Sequence, residues 1–346
     1  MGKLDLVKPD HYNGILGRRP ATFRLGFTDP LEVEGKLHAK RSYGNGEPHG
    51  PYTHWLAEHE LLETFRGTSG IGTTSPLPEH AFADSFIGRR ACDWIRRRTG
   101  EYPWHLFVSF VGPHAPFDPP ERLSRKHADS AVPDPIRSDL SDRPAWVQQH
   151  NRGWSDDKTR HLRRQYLGAI EAIDIQVGEI VDTLAQSGEL ERTWIVFASD
   201  HGEMLGDLGM WGKRVPYDPA TRVPLVISGP DVEPGRSDAL VSLFDLNPTI
   251  CAWAGLSPQP DIDACSLDSC VRGERETFRD VCFASNRAFY SLRSHDHLFV
   301  EHSDGSVEFY DMGEDPHATR NIEPSAEIDG WKERLIAETR AGEGSR

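Results

Sequence analysis

The sequence predicts an α/β fold: a mostly parallel central sheet with helices on both faces, followed by a small antiparallel α+β subdomain. Three observations carry that expectation. Apolar runs at 105–111 (HLFVSFV) and 194–198 (WIVFA) are too short for helices, rich in β-branched and aromatic residues, and end in polar, glycine-bearing tips. Long amphipathic helical patterns precede each run. From Val281 the texture changes to short alternating runs. The expected division is 1–274 for the α/β domain and 275–346 for the subdomain.

In chain order, residues 14–78 are rich in Gly, Pro, His and charge, with one helical piece at 54–65. They read as loops over a functional edge. Residues 79–98 carry Phe82, Phe86, Ala91, Trp94 and Ile95 near helical spacing, and Pro103 bars continuation. The 105–111 strand follows, with His114 at its carboxyl end in GPHAPF. A second polar, Pro-rich loop covers 118–157. Ser155 is the expected N-cap of a helix to about Gln186, with an apolar stripe including Leu162, Ala169, Ile170, Ile173 and Leu184, and Gly188 ends it. Asp156 and Asp157 are helix-start acids. The 194–198 strand is expected to be buried on both faces, hence central in the parallel sheet, and 223–227 returns as a second strand. Asn247 and Pro248 open a short helix that Gly255 closes. Strands at 289–299 and 307–310 flank Ser303-Asp304-Gly305-Ser306, a hairpin signal, and a helix is expected near 328–339.

Composition narrows the function classes. A net charge of -15 argues against a nucleic-acid-binding surface, while leaving room for a local anion pocket. No apolar run reaches membrane-spanning length, and MGKLDLVKPD lacks the apolar core of a signal peptide. The five cysteines form no C-x-x-C pair, so free thiols are expected, and the sixteen histidines form no H-E-x-x-H grid.

The chemistry concentrates at 199–230, SDHGEMLGDLGMWGKRVPYDPATRVPLVISGP. Ligands of open α/β sheets bind beyond the carboxyl ends of strands, where Asp200 and His201 fall. A carboxylate and an imidazole delivered together suit a divalent cation. Gly202 permits a sharp turn or close approach, and Lys213 follows in a Gly-rich loop. An isolated Asp-His-Gly would read as a helix cap. The whole string, however, resembles the sulfatase family of the alkaline-phosphatase superfamily, which carries SDHGE, a glycine-containing loop with a lysine, and RVPLxxxGP. Three further stretches resemble family elements: GPHAPF (PHxPF), Asp245 to Thr249 (D-x-x-P-T), and Tyr310-Asp311-Met312 with Asp315-Pro316 and Asn321 (YDL…DP…N).

The resemblance implies an alkaline-phosphatase-like fold and a sulfuric ester hydrolase acting on a small-molecule or carbohydrate sulfate ester. Lys3, His114 and Lys213 are then expected as oxyanion contacts, with Asp200 and His201 as metal ligands. Calcium is the ion the resemblance supplies, and the imidazole also permits manganese or zinc. Gly2 and Lys3 match the family's GKxH element, but Asp5 stands where histidine is usual, and His11 lies at another spacing. The family also carries an upstream acidic pair and a C/S-x-P-x-R nucleophile matured to formylglycine. That motif is absent: Cys92 lies in CDWIR, Cys265 in CSLDS, Cys270 in CVRGE, and Ser75-Pro76-Leu77-Pro78 has the wrong order. The resemblance thus runs from GKxH to the tail, and an N-terminally truncated sulfatase is the expectation. Two alternatives stay open: a phosphodiester or phosphonate monoester hydrolase of the same superfamily, and a catalytically inactive sulfatase-like binding protein.

Overall fold

The computed structural model describes residues 1–4, 15, 22–40, 47–67, 70–98, 102–274, 277–323 and 326–343. It divides into two compact units: 1–133 with 157–191, and 134–156 with 192–346.

In the first unit, three extended segments run parallel. Gly2 bridges in parallel to Glu32 on one side and Ser109 on the other. Gly2 N donates to Leu31 O (2.9 Å), Val33 N to Gly2 O (3.0 Å), Ser109 N to Met1 O (2.8 Å) and Lys3 N to Ser109 O (3.0 Å). Only glycine fits at position 2: its φ is +108°, and a Cβ would lie 1.9 Å from Ser109 O. The apolar side chains Met1, Leu31, Val33 and Val111 pack with helices α1 (Lys36–Lys40), α2 (Pro51–Glu58), α3 (Leu62–Arg66) and α4 (Ala83–Arg96). The helical piece expected at 54–65 is two helices, because the chain turns at Glu60, whose φ is +59°.

Two buried carboxylates lock this packing. Glu34 accepts from Thr53 N (2.8 Å), Thr53 Oγ1 (2.6 Å) and Tyr52 N (3.3 Å), capping α2 from a distance. Gly50, at the N-cap, offers no side chain, and a Cβ there would lie 2.2 Å from the Glu34 carboxylate. Such a cap is worth about 1–2 kcal/mol. Asp84 accepts from Val111 N (2.6 Å) and Gly112 N (3.0 Å), tying the end of the 105–111 segment to the first turn of α4. Burial pushes its carboxyl up, against the pull of Lys36 and those amides.

Helix α5 (Asp156–Gln186) runs as its period implies, and Gly188 (φ +71°) follows it. Its stripe is only partly covered: Leu162, Ala169, Ile173 and Leu184 are buried, whereas Ile170 is 43% exposed. Gln176 is buried instead, against Gly88 of α4, where a Cβ would meet its Oε1 at 2.4 Å.

The second unit contains β1 (Ile195–Ala198), α6 (Asp218–Thr221), β2 (Leu225–Ser228) and α7 (Leu246–Trp253). Here one expectation is corrected. The β1 strand pairs antiparallel with β2, in the register Phe197↔Val226, and it is not buried on both faces: Phe197 is 39% and Val226 59% exposed. Among the described residues no other strand joins them. Apolar content signals a strand but carries no direction, and the loop through α6 reverses the chain. The capping expectation at Asn247 also shifts upstream. Ser242 accepts from Phe244 N and Asp245 returns to Ser242 N (2.7 Å), so a 3-10 turn precedes α7.

Strands β3 (Cys282–Ser285), β4 (Phe289–Arg293), β5 (His297–His302) and β6 (Val307–Asp311) form an antiparallel sheet in that order. Period-2 alternation gives it two apolar faces. Leu292, Phe299 and Phe309 meet Ile328 and Leu335 of α8 (Ala326–Glu343), while Phe289, Leu298, Val300 and Tyr310 meet Met204, Met210, Val215 and Tyr217. The sheet thus supports the loop that carries Lys213.

Candidate functional site

Strand β1 ends at a turn fixed by its own side chains. Ser199 Oγ donates to His201 O (2.8 Å), and Asp200 Oδ1 accepts from His201 N (3.0 Å). Gly202 N donates to Ala220 O (2.8 Å) and Glu203 N to Pro219 O (2.9 Å). Position 202 must be glycine for that approach, since a Cβ would lie 2.0 Å from Pro219 O.

This turn orders the ring of His201. Its Nδ1 lies 2.7 Å from Gly202 O, which can only accept, so Nδ1 carries the proton and Nε2 a lone pair. Nε2 is 3.3 Å from Asp200 Oδ2 and 2.5 Å from Lys213 Nζ, which donates to it. The carboxylate is 84% exposed. Two donors 3.3 Å apart match adjacent corners of a shell with metal–ligand distances of about 2.0–2.5 Å. They fit an ion as one edge of its polyhedron. Among the described residues no group of three or more His, Cys, Asp or Glu completes such a shell.

Lys213 is delivered by a loop closed on itself. Glu203 Oε1 accepts from Gly212 N (2.5 Å), Met204 N donates to Gly212 O (3.0 Å), and Gly206 N to Met210 O (2.8 Å). Behind it, Tyr217 Oη donates to Glu308 Oε2 (2.8 Å), and Arg293 holds Asp218 through Nε (3.0 Å) and Nη2 (3.1 Å). Glu308 also accepts from Tyr310 Oη (2.6 Å) and His302 Nε2 (3.0 Å), and Arg143 stacks on both tyrosine rings. Burial alone would push the Glu308 carboxyl up, but the His302 bond, the Arg143 charge and the Tyr310 bond outweigh it and hold it below the ordinary range. Both tyrosine hydroxyls are pushed up, by burial first and the Glu308 charge next. Sequence reading missed Glu203 and Glu308. Glu203 stands in SDHGE, but the amide it holds lies nine residues on. Glu308 has the pattern of any polar residue in an alternating strand.

Lys3 and His114 belong to the first unit. Lys3 is half-buried, its backbone held by Ser109 on both sides: Lys3 N donates to Ser109 O, and Ser109 Oγ to Lys3 O (2.7 Å). His114 Nδ1 lies 2.8 Å from Ala115 O, so its proton sits there and Nε2 carries the lone pair. Asp5 and His11 lie outside the described residues.

The chain as a whole is similar to known proteins. The sulfatase family model covers residues 35–256, and the C-terminal model of N-sulphoglucosamine sulphohydrolase covers 206–341. The first match begins at another Gly-Lys-x-His element, Gly35-Lys36-Leu37-His38, which sequence reading left unused. Lys36 is committed elsewhere: it is buried, 2.9 Å from Asp118 and over the Phe82 ring. An arylsulfatase of Clostridium perfringens is 28% identical over 96% of this chain and 74% of its own length. A choline-sulfatase of Rhizobium meliloti is 30% identical over 64% of this chain, which spans about half (46%) of that relative. Among solved structures, the phosphonate monoester hydrolase of Agrobacterium radiobacter superposes with a TM-score of 0.74 at 23% identity, over 87% of this chain and 72% of that one. That likeness gives the fold, which is the α/β fold of that hydrolase. The match across 35–256, with the turn at Asp200 and the Lys213 loop inside it, places this chain in the sulfatase family.

Proposed function

We propose that this chain binds and neutralises the sulfuryl group of a sulfate ester, with Lys213 as an oxyanion contact and Asp200 and His201 as one edge of a divalent-metal site; Lys3 and His114 keep the role of oxyanion contacts that the family resemblance implies. The observation that carries the reading is that Asp200 Oδ2 (3.3 Å) and Lys213 Nζ (2.5 Å) both approach His201 Nε2. Charge on non-bridging oxygens grows as the ester bond breaks, and fixed cations aimed at it supply most of the barrier lowering in such catalysis. Lys213 acts as a point charge, and the Nδ1 bond of His201 fixes Nε2 as the nitrogen that faces Lys213, with Asp200 beside it. A bound divalent ion, calcium by family resemblance, would add Lewis-acid neutralisation at that edge.

The proposed substrate is a small-molecule or carbohydrate sulfate ester carrying few sulfates, because a net charge of -15 repels polyanions at long range. No Cys or Ser of this sequence stands in a C/S-x-P-x-R frame, so the reading assigns binding to these residues and leaves the nucleophile's role unfilled. The test is calorimetric titration with sodium sulfate at constant ionic strength, alongside assays with 4-nitrophenyl sulfate and 4-nitrophenyl phosphonate. Sulfate should bind, Lys213→Ala should weaken it at least tenfold, and residues 1–346 alone should turn over neither ester. Unchanged affinity in Lys213→Ala would sink the reading. Turnover of the phosphonate alone would move the chain to the alternative chemistry.

A further inference from the structure

We propose that Gly35 is a positioning residue for Lys3: the space left by its missing side chain is the slot in which the Lys3 stem lies. The inference deepens the reading of Lys3 as an oxyanion contact and rests on it. A Cβ on Gly35 would lie 2.9 Å from both Cδ and Cε of Lys3, and the next nearest atom, at 3.8 Å, is Lys3 Cγ. Among the described residues beyond its two chain neighbours, a methyl group there would therefore crowd only the lysine. Carbon–carbon contacts settle at about 3.5–4.0 Å, so the stem would retreat by roughly 0.6–1 Å.

Neither partner can relax by moving its backbone. Lys3 is held between Ser109 O and Ser109 Oγ, and Gly2 is wedged against Ser109. Gly35 opens α1, where Ala39 N donates to Gly35 O (2.9 Å). That helix is anchored next door by Lys36 and Lys40 on buried Asp118 (2.9 and 3.5 Å). Gly35 is not among the residues of positive φ, so alanine is compatible with its backbone. The glycine serves the lysine's path and not a turn. A lysine loses rotamer freedom when fixed, and a slot that restricts the stem lowers that loss at the moment of binding.

The experiment is a double-mutant cycle on the whole chain with inorganic sulfate as probe. Gly35→Ala, Lys3→Ala and the double variant are titrated calorimetrically, with urea unfolding as a control. Gly35→Ala should unfold at the wild-type midpoint yet bind sulfate about tenfold more weakly, the scale expected of an ångström-sized misplacement. In the Lys3→Ala background the same substitution should change nothing. An equal loss in both backgrounds would overturn the proposal. Another readout is independent of function: the acylation rate of the Lys3 amine, followed by peptide mass mapping, should change at least threefold in Gly35→Ala. If Lys3→Ala leaves sulfate affinity intact, the reading of Lys3 fails and the acylation rate alone decides on Gly35. An unchanged acylation rate ends the proposal.

Discussion

Replacing Glu308 by glutamine tests whether the C-terminal sheet holds up the Lys213 loop. Glu308 is 1% exposed and accepts three hydrogen bonds, from Tyr217, Tyr310 and His302, with Arg143 stacked on both tyrosines. Glutamine keeps the shape but turns one acceptor oxygen into a donor. Turned towards the tyrosines, the amide faces two buried hydroxyl donors; turned towards His302, it drives the ring proton to the buried Nδ1, which has no partner among the described residues. Either costs about 1–3 kcal/mol, and Arg143 loses its nearby counter-charge. Removing one member of a buried charged network costs about 3–5 kcal/mol. At about 2–4 °C per kcal/mol for a unit of this size, the melting temperature should drop by roughly 6–20 °C. Urea unfolding followed by tryptophan fluorescence at pH 7 measures it. The sign with pH follows from the depressed carboxyl of Glu308. Its contribution is fully present above the unfolded value of about 4.3 and is lost as pH falls through the lower folded value. The gap between wild type and variant should therefore close below about pH 4. A loss under about 1 kcal/mol at pH 7 would mean the network adds no more than an ordinary hydrogen bond, and the support argument fails.

Two further outcomes follow from the lone pairs. Lys213 Nζ and any metal compete for the same His201 Nε2, so Lys213→Met should bind manganese or zinc about tenfold more tightly than wild type, and His201→Ala should bind neither, by calorimetry. Equal affinities in wild type and Lys213→Met would show that the lone pair is not contested. His114 spends its Nδ1 proton on Ala115 O, so Nε2 can donate to an oxyanion only when the ring is protonated. His114→Gln should therefore weaken sulfate binding at least threefold by calorimetry; unchanged affinity in the variant would remove His114 from the anion site.

What could be read from the sequence depended on how far each interaction reaches along the chain. The Asp200 and His201 donors meet because they are neighbours on one turn, and glycine at 202 is required by the approach of Pro219. Helix α5 was legible because 31 residues repeat one period. The direction of β1 was not, because a run such as IVFA states that a strand forms and leaves its partner open. The two Gly-Lys elements make the same point more sharply. Gly2-Lys3 and Gly35-Lys36 share a sequence pattern, yet one lysine is half-buried beside the Gly2–Ser109 bridge and the other is sealed against Asp118. Nothing local separates them; the partner 82 residues away does. Glu308 is the same case, since its burial is decided by a loop whose Tyr217 lies 91 residues earlier. Motif residues that touch a ligand are recognisable by their spacing. The groups that aim them are dispersed through the chain, and only the fold brings them into register.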